Sequence, residues 1–126
     1  MQIDHLDHLV LTVHDIQVAC EFFSRVLGME VVTFADGRKA LQFGDQKINL
    51  HLKGKESEPK AQHPTPGSAD LCFLTSVPLE RVMAHVQSCN VSLLLGPVEQ
   101  TGATKILVPL YFRDPDGNLL EVSNTH

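Results

Sequence analysis

Two stretches of this chain run through the same events in the same order. From His8 to Gly28, and again from Asp70 to Asn90, a strand pattern, a helix pattern and a helix stop follow one another over the same separation of 20 residues. In the first stretch His8-Leu9-Val10-Leu11-Thr12-Val13 is rich in the aliphatic and β-branched residues that suit a pleated, half-buried surface. Asp15 then caps a helix in which Ile16, Ala19, Phe23 and Val26 recur at helical spacing through Leu27, and Gly28 can take the left-handed conformation that closes it. In the second, Ala69 to Thr75 is an apolar strand, Pro78 stands at a first helical position, and Leu79, Val82, Met83 and Val86 share one face of a helix ending near Asn90. A chain with this pattern uses one structural unit twice.

The repeat continues past the helices. Met29 to Phe34, Lys39 to Phe43 and Lys47 to Leu52 read as three short strands, joined by turns at Asp36-Gly37 and Gly44-Asp45. Ser92 to Leu95, Ile106 to Arg113 and Leu119 to Ser123 supply the matching set, with Gly96 to Lys105 as a longer connection. The expected architecture is α+β, two tandem βαβββ modules over residues 5–52 and 69–123 joined by a linker, 53–68. That linker is stiffened by prolines and loaded with charge, which suits an arm reaching a partner subunit, a lid over a cavity or a plain solvated connection.

Near the end, Asp114-Pro115-Asp116-Gly117-Asn118 supplies a fixed φ, an Asx-type hydrogen bond and a glycine free to take positive φ, so a tight turn feeds Leu119-Leu120-Glu121-Val122. Glu121 interrupts that apolar run. Its carboxylate either faces solvent in simple alternation or is buried at a cost that only a partner or a cation offsets. Matching Ile48-Asn49-Leu50 to Leu120-Glu121-Val122 sets Asn49 at the position corresponding to Glu121, with His51 two residues on and on the same strand face. Four positions therefore correspond in the two halves: His8 with Asp70, and Asn49 with Glu121.

Composition excludes several classes of function. A formal charge of −5 and the lack of a basic stripe interleaved with aromatics argue against nucleic acid as a partner. No apolar run approaches the roughly 18 residues that span a bilayer, so no membrane role is expected. Charged and imidazole residues from Asp4 onward leave no signal-peptide pattern, and the expected location is cytoplasmic. Cys20, Cys72 and Cys89 are odd in number, lack metal-pair spacing and fall in helix or strand segments, which reads as structural thiols and not as a disulfide framework.

The paired βαβββ pattern, the opening Asp7-His8-Leu9-Val10-Leu11-Thr12-Val13 and the closing Asp114-Pro115-Asp116-Gly117-Asn118-Leu119-Leu120-Glu121 together resemble the vicinal oxygen chelate superfamily, over nearly the whole chain. Phe43-Gly44-Asp45-Gln46-Lys47-Ile48-Asn49-Leu50-His51, Pro64-Thr65-Pro66-Gly67-Ser68 and Val77-Pro78-Leu79-Glu80 look most like its glyoxalase domain-containing protein 5 subgroup. The resemblance implies half-barrel sheets, a divalent metal (Mn, Fe, Ni or Zn), a small-molecule substrate presenting vicinal oxygens, and a homodimer. By position, His8 matches the first-strand histidine and Glu121 the last-strand glutamate. Asp70 stands where most metal-binding relatives have a histidine, and Asn49 where glyoxalase I has a glutamate; His51 offers a second imidazole. One imidazole with two carboxylates favours harder ions such as Mn²⁺ or Fe²⁺.

Three functional readings follow from the resemblance. The first is lyase or isomerase chemistry like that of lactoylglutathione lyase, with Glu121 as ligand and catalytic proton shuttle. The second is a metal-free binding or sequestering protein of the bleomycin-resistance type. The third is an Fe-dependent extradiol-type dioxygenase. Fosfomycin-type chemistry fits poorly, because only Val122 to His126 follow Glu121 and Thr101 stands where a lysine would help bind phosphonate. Tyr111 reads as a substrate-facing hydroxyl or a cavity-wall aromatic. Arg113 shares its strand face and reads as an anion receiver or as an ion-pair partner of Asp114 or Asp116.

Overall fold

The computed structural model describes residues 1–94 and 108–125. The chain divides into two compact units, Met1–Pro66 and Gly67–His126.

The first unit runs β1 (His8–Val13), α1 (Ile16–Leu27), β2 (Glu30–Phe34), β3 (Arg38–Phe43) and β4 (Gln46–Leu52). Its sheet has the order β1-β4-β3-β2, with β1 parallel to β4 and the other pairs antiparallel. The parallel pair requires a crossover, which α1 and the β2–β3 hairpin provide. Asp15 caps α1 as expected, its side chain accepting from the Val18 amide at 3.0 Å. Gly28, at φ 67, closes it, while the Gly28 and Met29 amides bond to the Ser24 and Phe23 carbonyls. Ala19, Phe22, Phe23 and Val26 are buried, and α1 packs on β2, β3 and β4. Register places Leu11, Leu41, Ile48 and Leu50 on one sheet face, and all four are buried. The face turned the other way carries His8, Val10, Thr12, Lys47, Asn49, His51, Ala40 and Gln42.

The second unit runs β5 (Asp70–Thr75), α2 (Leu79–Ser88), β6 (Leu110–Arg113) and β7 (Leu119–Asn124), in the sheet order β5-β7-β6. As in the first unit, the strand before the helix lies parallel to the last strand, and the two final strands are antiparallel. Pro78 occupies the capping position one residue ahead of the helix, because it has no amide to place in the first turn; its carbonyl accepts from Arg81 and Val82. Asn90, at φ 62, takes the left-handed conformation just past the helix end. Leu79, Val86, Leu110, Phe112, Leu120 and Val122 form the core.

The strand expected over Ser92–Leu95 is not formed over Ser92–Leu94, where one backbone bond runs from the Leu94 amide to the Tyr111 carbonyl at 2.8 Å. Of the strand expected over Ile106–Arg113, Ile106 and Leu107 lie outside the described residues, and the described part is strand from Leu110, directly after Pro109, which has no N–H to give a ladder. Leu95 and the connection 96–105 lie outside the described residues. No described helix is long and apolar enough to cross a membrane. The fold is thus α+β, two small mixed sheets each carrying one helix, in the tandem βαβββ plan.

Candidate functional site

The turn that delivers Glu121 is built as the sequence implies, and more tightly. Asp114 Oδ1 accepts from the Asp116 and Asn118 amides, both at 2.9 Å, and Gly117 donates to the Asp114 carbonyl at 3.0 Å with φ 92. Asn118 is 1% exposed; its Nδ2 donates to Asp114 Oδ2 at 2.7 Å while its Oδ1 accepts from the Ala69 amide at 2.9 Å. One side chain therefore fastens the turn to the start of β5. Burial pushes the Asp114 carboxyl above the usual range, against the hydrogen bonds from Asn118 that pull it down.

Beyond the turn, register sets Cys72, Glu121 and Tyr111 side by side across β5, β7 and β6. Asp70, Leu119 and Arg113 form the row before, and Leu74 and Ser123 the row after. All share the face opposite the buried Leu120 and Val122. Glu121 is half-buried, and Ser123 Oγ donates to its Oε2 at 3.2 Å. Partial desolvation, then the neighbouring Glu121 charge, hold the Tyr111 hydroxyl above its usual pKa. Desolvation and the neighbouring carboxylates of Glu121 and Asp70 likewise push the Cys72 thiol up, and Cys72 Sγ lies 3.8 Å from Ser123 Oγ. Cys72 is exposed on this face, where the sequence suggested a structural thiol; Cys20 and Cys89 are half-buried, and the three form no disulfide. Arg113 donates to the Gly117 carbonyl at 3.2 Å.

In the first unit, His8 begins β1 with Nδ1 at 2.8 Å from Asp7 Oδ2. That contact holds the Asp7 carboxyl below its usual range. With the proton on Nδ1, the Nε2 lone pair is left for a cation, the arrangement in which a carboxylate orients a metal-ligating histidine. Asn49 lies level with Val10 and Ala40, and His51 two residues on is half-buried. Asn49 Oδ1 alone among the described side-chain atoms is buried with no hydrogen-bond partner.

Within neither unit, among the described residues, do three His, Cys, Asp or Glu side chains converge on one point. By type, the imidazole of His8 in the first unit and the carboxylates of Asp70 and Glu121 in the second are each ligands that divalent ions take. Sequence reasoning reached His8, Asp70, Asn49 and Glu121 through the repeat, but passed over Asp7, Cys72 and Ser123. Strand alternation already carried the signal for the last two, since Ser123 is two residues from Glu121 and Cys72 two from Asp70.

Comparison with known proteins agrees with this architecture. A family model described as the glyoxalase/bleomycin resistance protein/dioxygenase superfamily matches residues 5–122. The chain is 56% identical over 123 residues to virulence protein STM3117 of Salmonella typhimurium, covering 98% of this chain and 85% of that one. It is 50% identical over 124 residues to glyoxalase domain-containing protein RDO1 of Mycosarcoma maydis, covering 98% and 70%. The crystal structure of STM3117 superposes with a TM-score of 0.90 over the whole of both chains. At the level of fold alone, lactoylglutathione lyase of Agrobacterium tumefaciens (20% identical, 98% and 96% covered) gives 0.74, and the antibiotic-binding protein TnmS3 of a Streptomyces species (21%, 100% and 99%) gives 0.73. Family match and close relatives together leave one assignment: this chain belongs to the glyoxalase/bleomycin resistance protein/dioxygenase superfamily.

Proposed function

We propose that this chain is a metal-assisted enzyme acting on a small molecule with vicinal oxygens, by lyase or isomerase chemistry of the lactoylglutathione-lyase kind. The observation that carries this reading is Glu121, a half-buried carboxylate in the middle of an open sheet face, held by Ser123 and level with Tyr111. A carboxylate so placed is poised to take a proton from carbon next to a substrate oxygen and return it one atom away. The Ser123 hydroxyl fixes its orientation, which leaves the neutral phenol of Tyr111 to donate to a substrate oxygen. In this reading His8, Asp70 and Glu121 hold a divalent ion, Mn²⁺, Fe²⁺, Ni²⁺ or Zn²⁺, with Asp7 orienting His8 and His51 or Asn49 as further donors. The ion would stabilise negative charge developing on the substrate oxygen. Arg113, tied to the Gly117 carbonyl, is assigned the edge of the site, where it would meet an anionic substituent.

The two units make one vicinal oxygen chelate domain, with module one over 5–52 and module two over 69–123, and the domain works as a cytoplasmic homodimer. Within the superfamily it is assigned to the glyoxalase domain-containing protein 5 subgroup, a reading supported by 50% identity to a protein that carries the glyoxalase domain-containing name. A metal-free small-molecule binding protein is the second reading, favoured by the fold shared with an antibiotic-binding protein.

Anaerobic purification followed by elemental analysis separates the two. Near-stoichiometric metal in the wild type, lost in both His8→Ala and Glu121→Gln, is the expected result. Absence of any divalent ion after incubation with each candidate metal overturns the enzyme reading in favour of the binding protein, and retained iron with dioxygen consumption moves it to extradiol-type oxygenation.

A further inference from the structure

Asn49 sits on β4, flanked across the sheet by Val10 of β1 and Ala40 of β3. Neither neighbour carries a side-chain donor, and the strand amides on both sides lie in the plane of the sheet, committed to its ladders. The side chain points away from the face that Ile48 and Leu50 bury, so no donor comes from the core beneath it. Its Oδ1 is buried and unpaired. An orphaned buried acceptor destabilises a fold, and an apolar side chain of the same shape would remove the penalty, so retaining the amide here favours something other than stability. In the repeat, Asn49 occupies the place of Glu121, replacing a charged acceptor with a neutral one.

We propose that Asn49 is a recognition residue for the small molecule bound at this site, its Oδ1 accepting a hydrogen bond from a neutral hydroxyl or amide N–H set in an otherwise apolar part of the ligand. Val10, 43% exposed, and Ala40 present hydrocarbon on either side of the amide, so the group around the donor is apolar. The inference rests on reading this face as part of a small-molecule site, but not on the presence of a metal.

The test uses the full-length protein after chelator treatment, so that metal loading plays no part. In the free protein, Asn49→Leu should raise Tm by about 3 °C or more, because it removes an acceptor that nothing satisfies. Phenol and anisole then serve as matched probes, alike in their apolar ring but with a hydroxyl donor only in phenol. By NMR titration, phenol should shift the Asn49 side-chain amide signals and bind the wild type about fivefold more tightly than anisole, and Asn49→Leu should bind both equally. A fall in Tm for Asn49→Leu overturns the proposal, since the acceptor would then be paired in the free protein. Equal binding of the two probes to the wild type, or failure of both to perturb Asn49, also overturns it. Failure of the metal measurement alone would leave it standing.

Discussion

Asn118→Ala removes the one side chain that joins the Asp114–Asn118 turn to the start of β5. Two bonds go with it: Asn118 Nδ2 to Asp114 Oδ2 at 2.7 Å, and the Ala69 amide to Asn118 Oδ1 at 2.9 Å. The first involves a carboxylate only 6% exposed, so its loss falls at the upper end for hydrogen bonds, about 2 kcal/mol. The second leaves a half-buried amide that water can reach, which adds about 1 kcal/mol. The expected loss is therefore about 3 kcal/mol, or a fall in Tm of about 10 °C for a chain of this length. Urea unfolding followed by far-UV circular dichroism measures it, with the wild-type slope m retained if the transition stays two-state. A loss under about 1 kcal/mol would refute the argument that this amide fastens the turn to the sheet. Asn118→Asp sharpens the test, since it keeps the acceptor for Ala69 but sets a second carboxylate against Asp114. That variant should be weaker than Asn118→Ala at neutral pH and recover part of the difference on acidification, as one of the coupled pair takes up a proton.

Three further outcomes follow from the same geometry. A Cβ added at Gly67 would lie 2.5 Å from the Asp116 carbonyl oxygen, at φ 83, so Gly67→Ala should cost about 2 kcal/mol or more in urea unfolding; a neutral result would mean that the backbone there moves freely. The Asp114 carboxyl, followed by ¹³C NMR, should titrate above the ordinary aspartate value of 3.8, because burial outweighs its hydrogen bonds. A folded-state value above the unfolded one means that this group's contribution to stability is lost as pH rises from 3.8 through the folded pKa, and is recovered on acidification; a midpoint at or below 3.8 refutes the burial argument. Glu121→Gln should speed alkylation of Cys72 by iodoacetamide, read by peptide mass spectrometry with Cys20 and Cys89 as internal controls. Removing that charge takes away one of the causes that keep the thiol protonated, and an unchanged rate would place the carboxylate away from the sulfur.

Much of the fold was legible because its signals are local. Asp15 and Gly28 bound α1 as their own chemistry dictates, one by a side-chain acceptor and the other by a positive φ. The Asp114–Asn118 turn follows from five consecutive residues. The strand expected over Ser92–Leu95 failed over its described part, because a short apolar run does not specify its own pairing; that depends on what the neighbouring strand offers. Pro78 shifted by one position for a similarly local reason, as the ring stands equally well just before the first helical residue.

By itself the sequence determined the doubled strand–helix plan, the caps, the turns and the chemical types at His8, Asn49, Asp70 and Glu121, since each is written in spacing or in side-chain chemistry along a few residues. Only the tertiary structure decided that Cys72 and Tyr111 stand level with Glu121, that Asn118 reaches across to Ala69, and that the Asn49 carbonyl is buried with no partner. Those facts depend on register between strands far apart in the chain. A shift of one residue in pairing would turn each of these side chains to the opposite face, and no local preference sets that choice.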